Sequence, residues 1–430
     1  MRSSILALLL AAAPQEARKK PDFLVIAPER FHAALGEYVR HKNGRIRTEI
    51  VSLEAVLKST RGADDPERVK RFLFSRWKDG ARYALLVGDA DVFPVRYMVL
   101  DRITEPAFDY AFYPSDLYYA DLAKRDGSFD DWNAKKDGFH GGYYGEVRGE
   151  KIKKDPINYD DIDYRPEIAV GRWPVSTVEE VKIVAAKTIA YENGARLQRS
   201  ALCHVEGWVD TREMLKGLAA KRSGAAVLDA PKETELVKLL NEGVGFLAHT
   251  GHGSDDSWAG CFSVKSIDSL KNGDRLPVMM SVGCSTARFA TLPPYEAYTD
   301  ASGTEHKGTN GGEVFKEPPP SPAVYQKGRH NPTGLGEQLL RRGPNGAVAY
   351  IGCNTGSQPC ALTLLEGFVQ AWSGSKEPVL GDLWSAAITH YWEKENLAKI
   401  VPDDGWYPAS IFFQAMKFML FGDPTLRMAD

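Results

Sequence analysis

The chain has 430 residues, enough for two or three domains with sizeable cores. Its hydrophobic fraction of 43% and charged fraction of 26% exclude a disordered or membrane-embedded chain. A formal charge of −3 with no long basic run excludes a general nucleic-acid binder.

The opening segment, residues 1–20, carries Arg2, an apolar run from Ile5 to Ala13 and small residues after it. This is the pattern of a secretory signal, too short to cross a bilayer. The mature chain is therefore expected to be exported, secreted or periplasmic, with no stable membrane insertion. Oligomeric state leaves no signal in the sequence.

Asp22 to Ala27 reads as a buried strand, Phe31 to Tyr38 as an amphipathic helix and Arg47 to Ser52 as a second strand. Asp65 to Trp77 opens with Asp-Pro and continues at helical spacing, and Tyr83 to Val87 is another buried strand. Alternating strands and helices predict parallel pairing with crossover helices. Phe112 to Glu146 turns aromatic, acidic and Gly-rich. Asp126, Asp130, Asn133 and Asp137 offer oxygens on Gly-containing turns, as a structural calcium ion requires; a solvated acidic loop is the alternative.

Glu167 to Gly171 is a strand, and Ser176 to Glu192 opens with a Ser-x-x-Glu capping box and runs as a helix. Ser200 to Val205 is the next strand, with helices at Asp210 to Lys221 and Lys232 to Glu242. Two domains are expected, 21–195 and 196–430, the second interrupted by a flexible Pro- and Gly-rich insertion at 293–332. After it come helix Leu335 to Arg341, strand Ala347 to Ile351, helices Leu362 to Trp372 and Leu380 to Glu395, and a closing segment, Ile411 to Met428.

The chemistry concentrates between Gly243 and Ala290. Two short apolar runs, Val244 to Ala248 and Leu276 to Val282, stop at His249-Thr250-Gly251-His252-Gly253 and at Gly283-Cys284. Such runs read as buried parallel strands, whose carboxyl ends gather ligands and catalytic groups. A thiol and an imidazole can meet there as nucleophile and base. Cys284 is expected at a helix N-terminus beginning at Ser285, which would lower its pKa. The glycines around His252 permit a sharp bend, and the N–H groups of Gly253 and Cys284 are candidate oxyanion donors. Glu206, ending a separate strand, is a candidate to orient His252. His249 is the rival base, and a zinc site from His249, His252, Cys261 and Cys284 matches no usual spacing. The five cysteines leave one unpaired if the other four form disulfides. Motifs of serine hydrolases, zincins and nucleotide enzymes are missing.

HTGHGSDDSW, LPVMMSVGC, ALCHVEGWVD, GRWPVSTVEEVKIVAAKTIAYE, GPNGAVAYIG and FGDPTLRM together resemble the gingipain-type cysteine peptidases of the wider caspase-like group. The resemblance implies a caspase-like α/β fold, with open, mostly parallel sheets flanked by helices in two subdomains, the second carrying catalysis. It implies Cys284 as nucleophile, His252 as the imidazole and Glu206 as its polarising partner. It also offers Asp210 as the carboxylate that receives a basic side chain, hence cleavage after Arg or Lys. The expected activity is that of an exported endopeptidase acting on protein or peptide substrates through a thioester. It requires no cofactor for the chemistry. The alternatives are a transpeptidase or sortase-like processing enzyme, and a catalytically inactive binding module of the same fold.

Overall fold

The structure, a computed structural model, describes residues 20–104, 107–138, 140–146, 155–222, 225–309, 319–329, 333–402 and 407–430. All of the expected signal segment except Lys20 lies outside these residues. Ten strands form one sheet: β1 (Phe23–Ala27), β2 (Thr48–Ser52), β3 (Tyr83–Val87), β4 (Ala169–Trp173), β5 (Ser200–His204), β6 (Ala225–Asp229), β7 (Phe246–Thr250), β8 (Val278–Ser281), β9 (Ala349–Cys353) and β10 (Phe418–Phe421). Their spatial order is β2-β1-β3-β4-β10-β9-β8-β7-β5-β6.

Every neighbouring pair is parallel except β9 with β10. The sheet is therefore two parallel halves running in opposite directions, joined where β10 pairs antiparallel with β9 and parallel with β4. The carboxyl ends of β5 to β9 lie together on one edge of the sheet, and those of β1, β3 and β4 on the other. The two expected subdomains share a single sheet, and a strand from the end of the chain is their seam.

The strands read as unbroken apolar runs because helices cover both faces. Alternate residues enter opposite cores: Leu247 and Met279 pack on one face, Phe246, Ala248, Val278 and Met280 on the other. At the seam Arg172 of β4 is fully buried and grips both oxygens of Asp116 at 2.7 Å, while its third nitrogen donates to Gly88 C=O at 2.9 Å.

The helix expected from Ser176 is Val178–Asn193, capped one residue later than the sequence suggested, by Thr177 and Glu180. Two features were not expected. Strand β6 is a half-exposed edge strand, Ala-rich and with only the short run Ala225 to Leu228 to reveal it. Tyr97–Thr104 and Ala107–Pro114 pair antiparallel beside the main sheet.

The described parts of 293–332 run along the first half of the fold. Pro293 and Val324 C=O accept from Phe112 and Val95 N–H, Gln326 N–H donates to Ala90 C=O, and the Tyr325 hydroxyl donates to Asp65. None of these parts lines the cleft described next.

Candidate active site

Strands β9, β8, β7 and β5 are consecutive neighbours, so the loops leaving their carboxyl ends sit side by side, where ligands of parallel sheets gather. From β7 comes Gly251-His252-Gly253 and from β8 Val282-Gly283-Cys284. The other two loops are Val205-Glu206-Gly207-Trp208 from β5 and Asn354 to Gln358 from β9. Backbone bonds tie them together: His252 N–H donates to Glu206 C=O at 3.0 Å, and Val282 N–H to His249 C=O at 3.1 Å.

The glycines have a steric reason. Gly251 stands at φ 135°, a conformation side chains avoid, and a Cβ there would come within 2.6 Å of Val205 O. At Gly253 a Cβ would meet Cys284 O at 2.9 Å and Cys284 N at 3.3 Å. Only bare backbone lets the imidazole turn lie against the cysteine turn. Among the described residues, the N–H groups of Gly253 and Cys284 donate to no protein acceptor.

The Cys284 thiol is free and partly exposed. Ser357 N–H donates to its Sγ at 3.3 Å. The turn after it departs from expectation: residues 284–287 form a turn with Ser285 at φ 59°, rather than the start of a helix. Ser285 N–H donates to Thr355 C=O at 2.8 Å and Ala287 N–H to Cys353 C=O at 2.9 Å, so this turn is strapped to the loop after β9. That loop is held from beneath by buried Gln414, whose Oε1 accepts Gln358 N–H at 3.2 Å and whose Nε2 donates to Ser357 Oγ at 3.4 Å.

Cys284 and His252 open on one solvent-facing cleft. Trp208, Val209 and Thr211 line it from the β5 side, and Ser357, Gln358, Pro359 and Leu362 from the β9 side. The Trp208 ring meets the His252 ring edge-on, with centroids 5.7 Å apart. Ser357, Gln414 and Trp208 were missed by sequence reasoning. Ser357 and Gln414 sit in no motif, whereas Trp208 lies within ALCHVEGWVD, where Trp208-Val209 beside Glu206 was a legible apolar signal in a loop.

His249 is withdrawn from the cleft. It is fully buried, stacked on Trp258 at 4.8 Å, with Nδ1 2.9 Å from Ser281 Oγ. Burial, with His204 nearby, pushes its pKa down to about 3, so it is neutral at working pH and has no path to substrate. Glu206 is exposed and meets His252 through its carbonyl. Among the described residues, no hydrogen bond joins its carboxylate to the His252 ring. Asp210 is exposed too. Its carboxylate accepts Arg212 N–H at 3.0 Å and Arg212 Nη1 at 2.9 Å, and it does not line the cleft.

All five cysteines are free, and the cysteines other than Cys284 are not poised to react. Burial raises the thiols of Cys261 and Cys353 to about 12 and that of Cys360 to about 11.

The four residues expected around calcium are spent on separate local turns. Asp126 takes the N–H and hydroxyl of Ser128, and Asp130 takes Trp132 N–H. Asn133 donates to Gly141 C=O, and Asp137 holds His140. Among the described residues, no three His, Cys, Asp or Glu are grouped to hold a metal. Beside Asp130, the buried Lys70 amine lies 4.3 Å from the Tyr118 ring centre and 4.8 Å from that of Trp132; burial pushes its pKa down to about 8, against the opposing pull of Asp121 and Asp130.

Comparison with known proteins agrees with this layout. Gingipain R2 of Porphyromonas gingivalis is 22% identical over 297 residues, which are 64% of this chain and 34% of the relative. An uncharacterized protein of Archaeoglobus fulgidus is 24% identical over 302 residues, 58% of this chain and 62% of its own. The chain thus spans about a third of the length of that gingipain. The complex of Porphyromonas gingivalis RgpB pro- and mature domains superposes with a TM-score of 0.61 at 18% identity, covering 94% of this chain and 79% of that one. The crystal structure of the Arg-specific cysteine proteinase gingipain R gives 0.61 at 16% identity, covering 97% and 80%. The profile of Peptidase family C25 matches residues 16–429, which include all four loops around the cleft. With the profile matched over nearly the whole chain and the fold shared, the chain belongs to peptidase family C25, the gingipain-type cysteine peptidases.

Proposed function

We propose that the protein is an exported cysteine endopeptidase in which Cys284 attacks the scissile carbonyl and His252 moves the proton. The thiol proton passes to the imidazole as Sγ bonds to carbon, and the imidazole returns it to the leaving amine as the C–N bond breaks. Water then resolves the thioester, giving up a proton to the same imidazole. The N–H groups of Gly253 and Cys284 would hold the oxyanion, the largest single contribution in acyl transfer of this kind.

The observation that carries this reading is that one exposed cleft is shared by a free, partly exposed thiol and an exposed imidazole. The backbones bearing them approach as closely as glycine allows. Glu206 is a positioning group in this reading, acting through its carbonyl on His252 N–H. Export is supported by the apolar run Ile5 to Ala13. No helix among the described residues is long and apolar enough to cross a membrane.

The test is digestion of a peptide library by the purified protein and by Cys284→Ala. Hydrolysis by the wild type alone is expected. Equal hydrolysis by both rejects the mechanism, and ligated rather than hydrolysed products when an amine is added would make the enzyme a transpeptidase.

A further inference from the structure

We infer that the recess beside Cys284 receives an apolar aliphatic side chain, such as that of leucine or methionine, from the residue preceding the scissile bond, and discriminates against arginine and lysine. The inference rests on the peptidase reading above and names the substrate class for that site. A thioester fixes the acyl carbon at Sγ, so the side chain of the acyl residue has to enter the cleft that Cys284 lines. The apolar side chains lining that space are Trp208 and Val209 from one loop, Pro359 and Leu362 from the other, and Val282 at the end of β8; Thr211, Ser357 and Gln358 are its uncharged polar ones. No carboxylate lines it.

The acid that a basic side chain would need is already committed. Both oxygens of Asp210 are taken by Arg212, whose Nε also donates to Asp229 at 2.9 Å. The Arg212 N–H groups hold both carboxyls below their usual range. A substrate guanidinium would have to displace this ion pair or enter the recess without a counter-charge, and an uncompensated cation is costly to desolvate. The Thr211 hydroxyl offers little help, since it lies 2.8 Å from His204 Nδ1 and 2.6 Å from Thr250 Oγ1.

Exposure points the same way. Trp208 is 74% and Val209 43% exposed, two of the four exposed large hydrophobic side chains among the described residues, adjacent in sequence on the cleft rim. Neighbouring apolar residues left open to water beside a cleft mark a binding surface.

The test uses two peptides identical except for leucine or arginine before the scissile bond. Binding is measured on Cys284→Ala by fluorescence anisotropy, and hydrolysis on the wild type. The leucine peptide should bind at least tenfold more tightly and be the one cleaved. Val209→Asp, which places a carboxylate on the rim, should shift the binding ratio toward arginine by tenfold or more. Arginine binding as tight as leucine, or binding of neither peptide, overturns the inference; wild-type hydrolysis after arginine would then leave the peptidase reading standing. Selective leucine binding without turnover, and without alkylation of Cys284 by iodoacetamide, would support the recess and overturn the peptidase reading.

Discussion

Ser357 N–H donates to the sulfur of Cys284 across 3.3 Å, linking two loops separated in sequence by the whole insertion, a helix and a strand. The thiol in turn donates to Ser357 C=O at 3.6 Å, so one residue holds the sulfur through both its N–H and its carbonyl. Since the expected helix N-terminus is not formed, these contacts with Ser357 are what position the Cys284 sulfur.

Gln414 holds that donor in place and touches neither substrate nor thiol, so it is a positioning residue. Gln414→Leu should lower kcat/KM by about tenfold to a hundredfold, because small misplacements of reacting groups are expensive. The loss should fall on kcat, with KM little changed. A merely structural role would change Tm and leave kcat unmoved.

The backbone contact between the imidazole and cysteine turns admits no side chain. Gly253→Ala would put a methyl 2.7 Å from Thr286 Cγ2 and 2.9 Å from Cys284 O. Activity should fall by about a hundredfold or more, as when an oxyanion donor is removed. Gly217→Ala, in helix Arg212–Ala219 with nothing within 4 Å, is the control and should stabilise by up to about 1 kcal/mol. Comparable activity in both variants would contradict the steric argument.

His249 makes the fold acid-sensitive. Its folded pKa near 3 lies below the ordinary 6.5, so between these values the unfolded chain binds a proton that the folded one does not. Stability is therefore complete above pH 6.5 and is lost as pH falls toward 3, by about 1.4 kcal/mol per unit. His249→Phe, which keeps a ring against Trp258, should lose about 2 kcal/mol less than the wild type between pH 6.5 and 5 in urea titrations. Parallel pH curves for the two proteins would reject the assignment.

The seam carries a buried charge with one set of partners. Arg172→Leu leaves Asp116 without its cation and should cost about 3 kcal/mol or more. Double substitution with Asp116→Asn should recover part of that loss, and additive losses in denaturation would show that the pair is not coupled.

Much of this was legible beforehand. The buried strands announced themselves as short apolar runs ended by Gly, and the Gly-flanked His252 and Cys284 stood out because parallel strands deliver their ends to one place. Glu206 and Asp210 were legible as carboxylates in the right loop, but a sequence does not say where a carboxylate points. Arg212, only two residues on, decides the fate of Asp210. The spacing of the four calcium candidates is that of Asx turns as much as of a metal loop, and the structure shows Asp126 and Asp130 each closing such a turn. The reversal of the sheet at β10 had no local signature, since four apolar residues look alike whichever way the strand runs.

The most direct test of the central assignment is the intact mass of the protein, acid-quenched during turnover of a peptide ester. The wild type should carry the acyl group on Cys284, His252→Ala should acylate far more slowly, and Cys284→Ala should show no adduct and no turnover. Turnover by Cys284→Ala, or an acyl group mapped to any other residue, would contradict it.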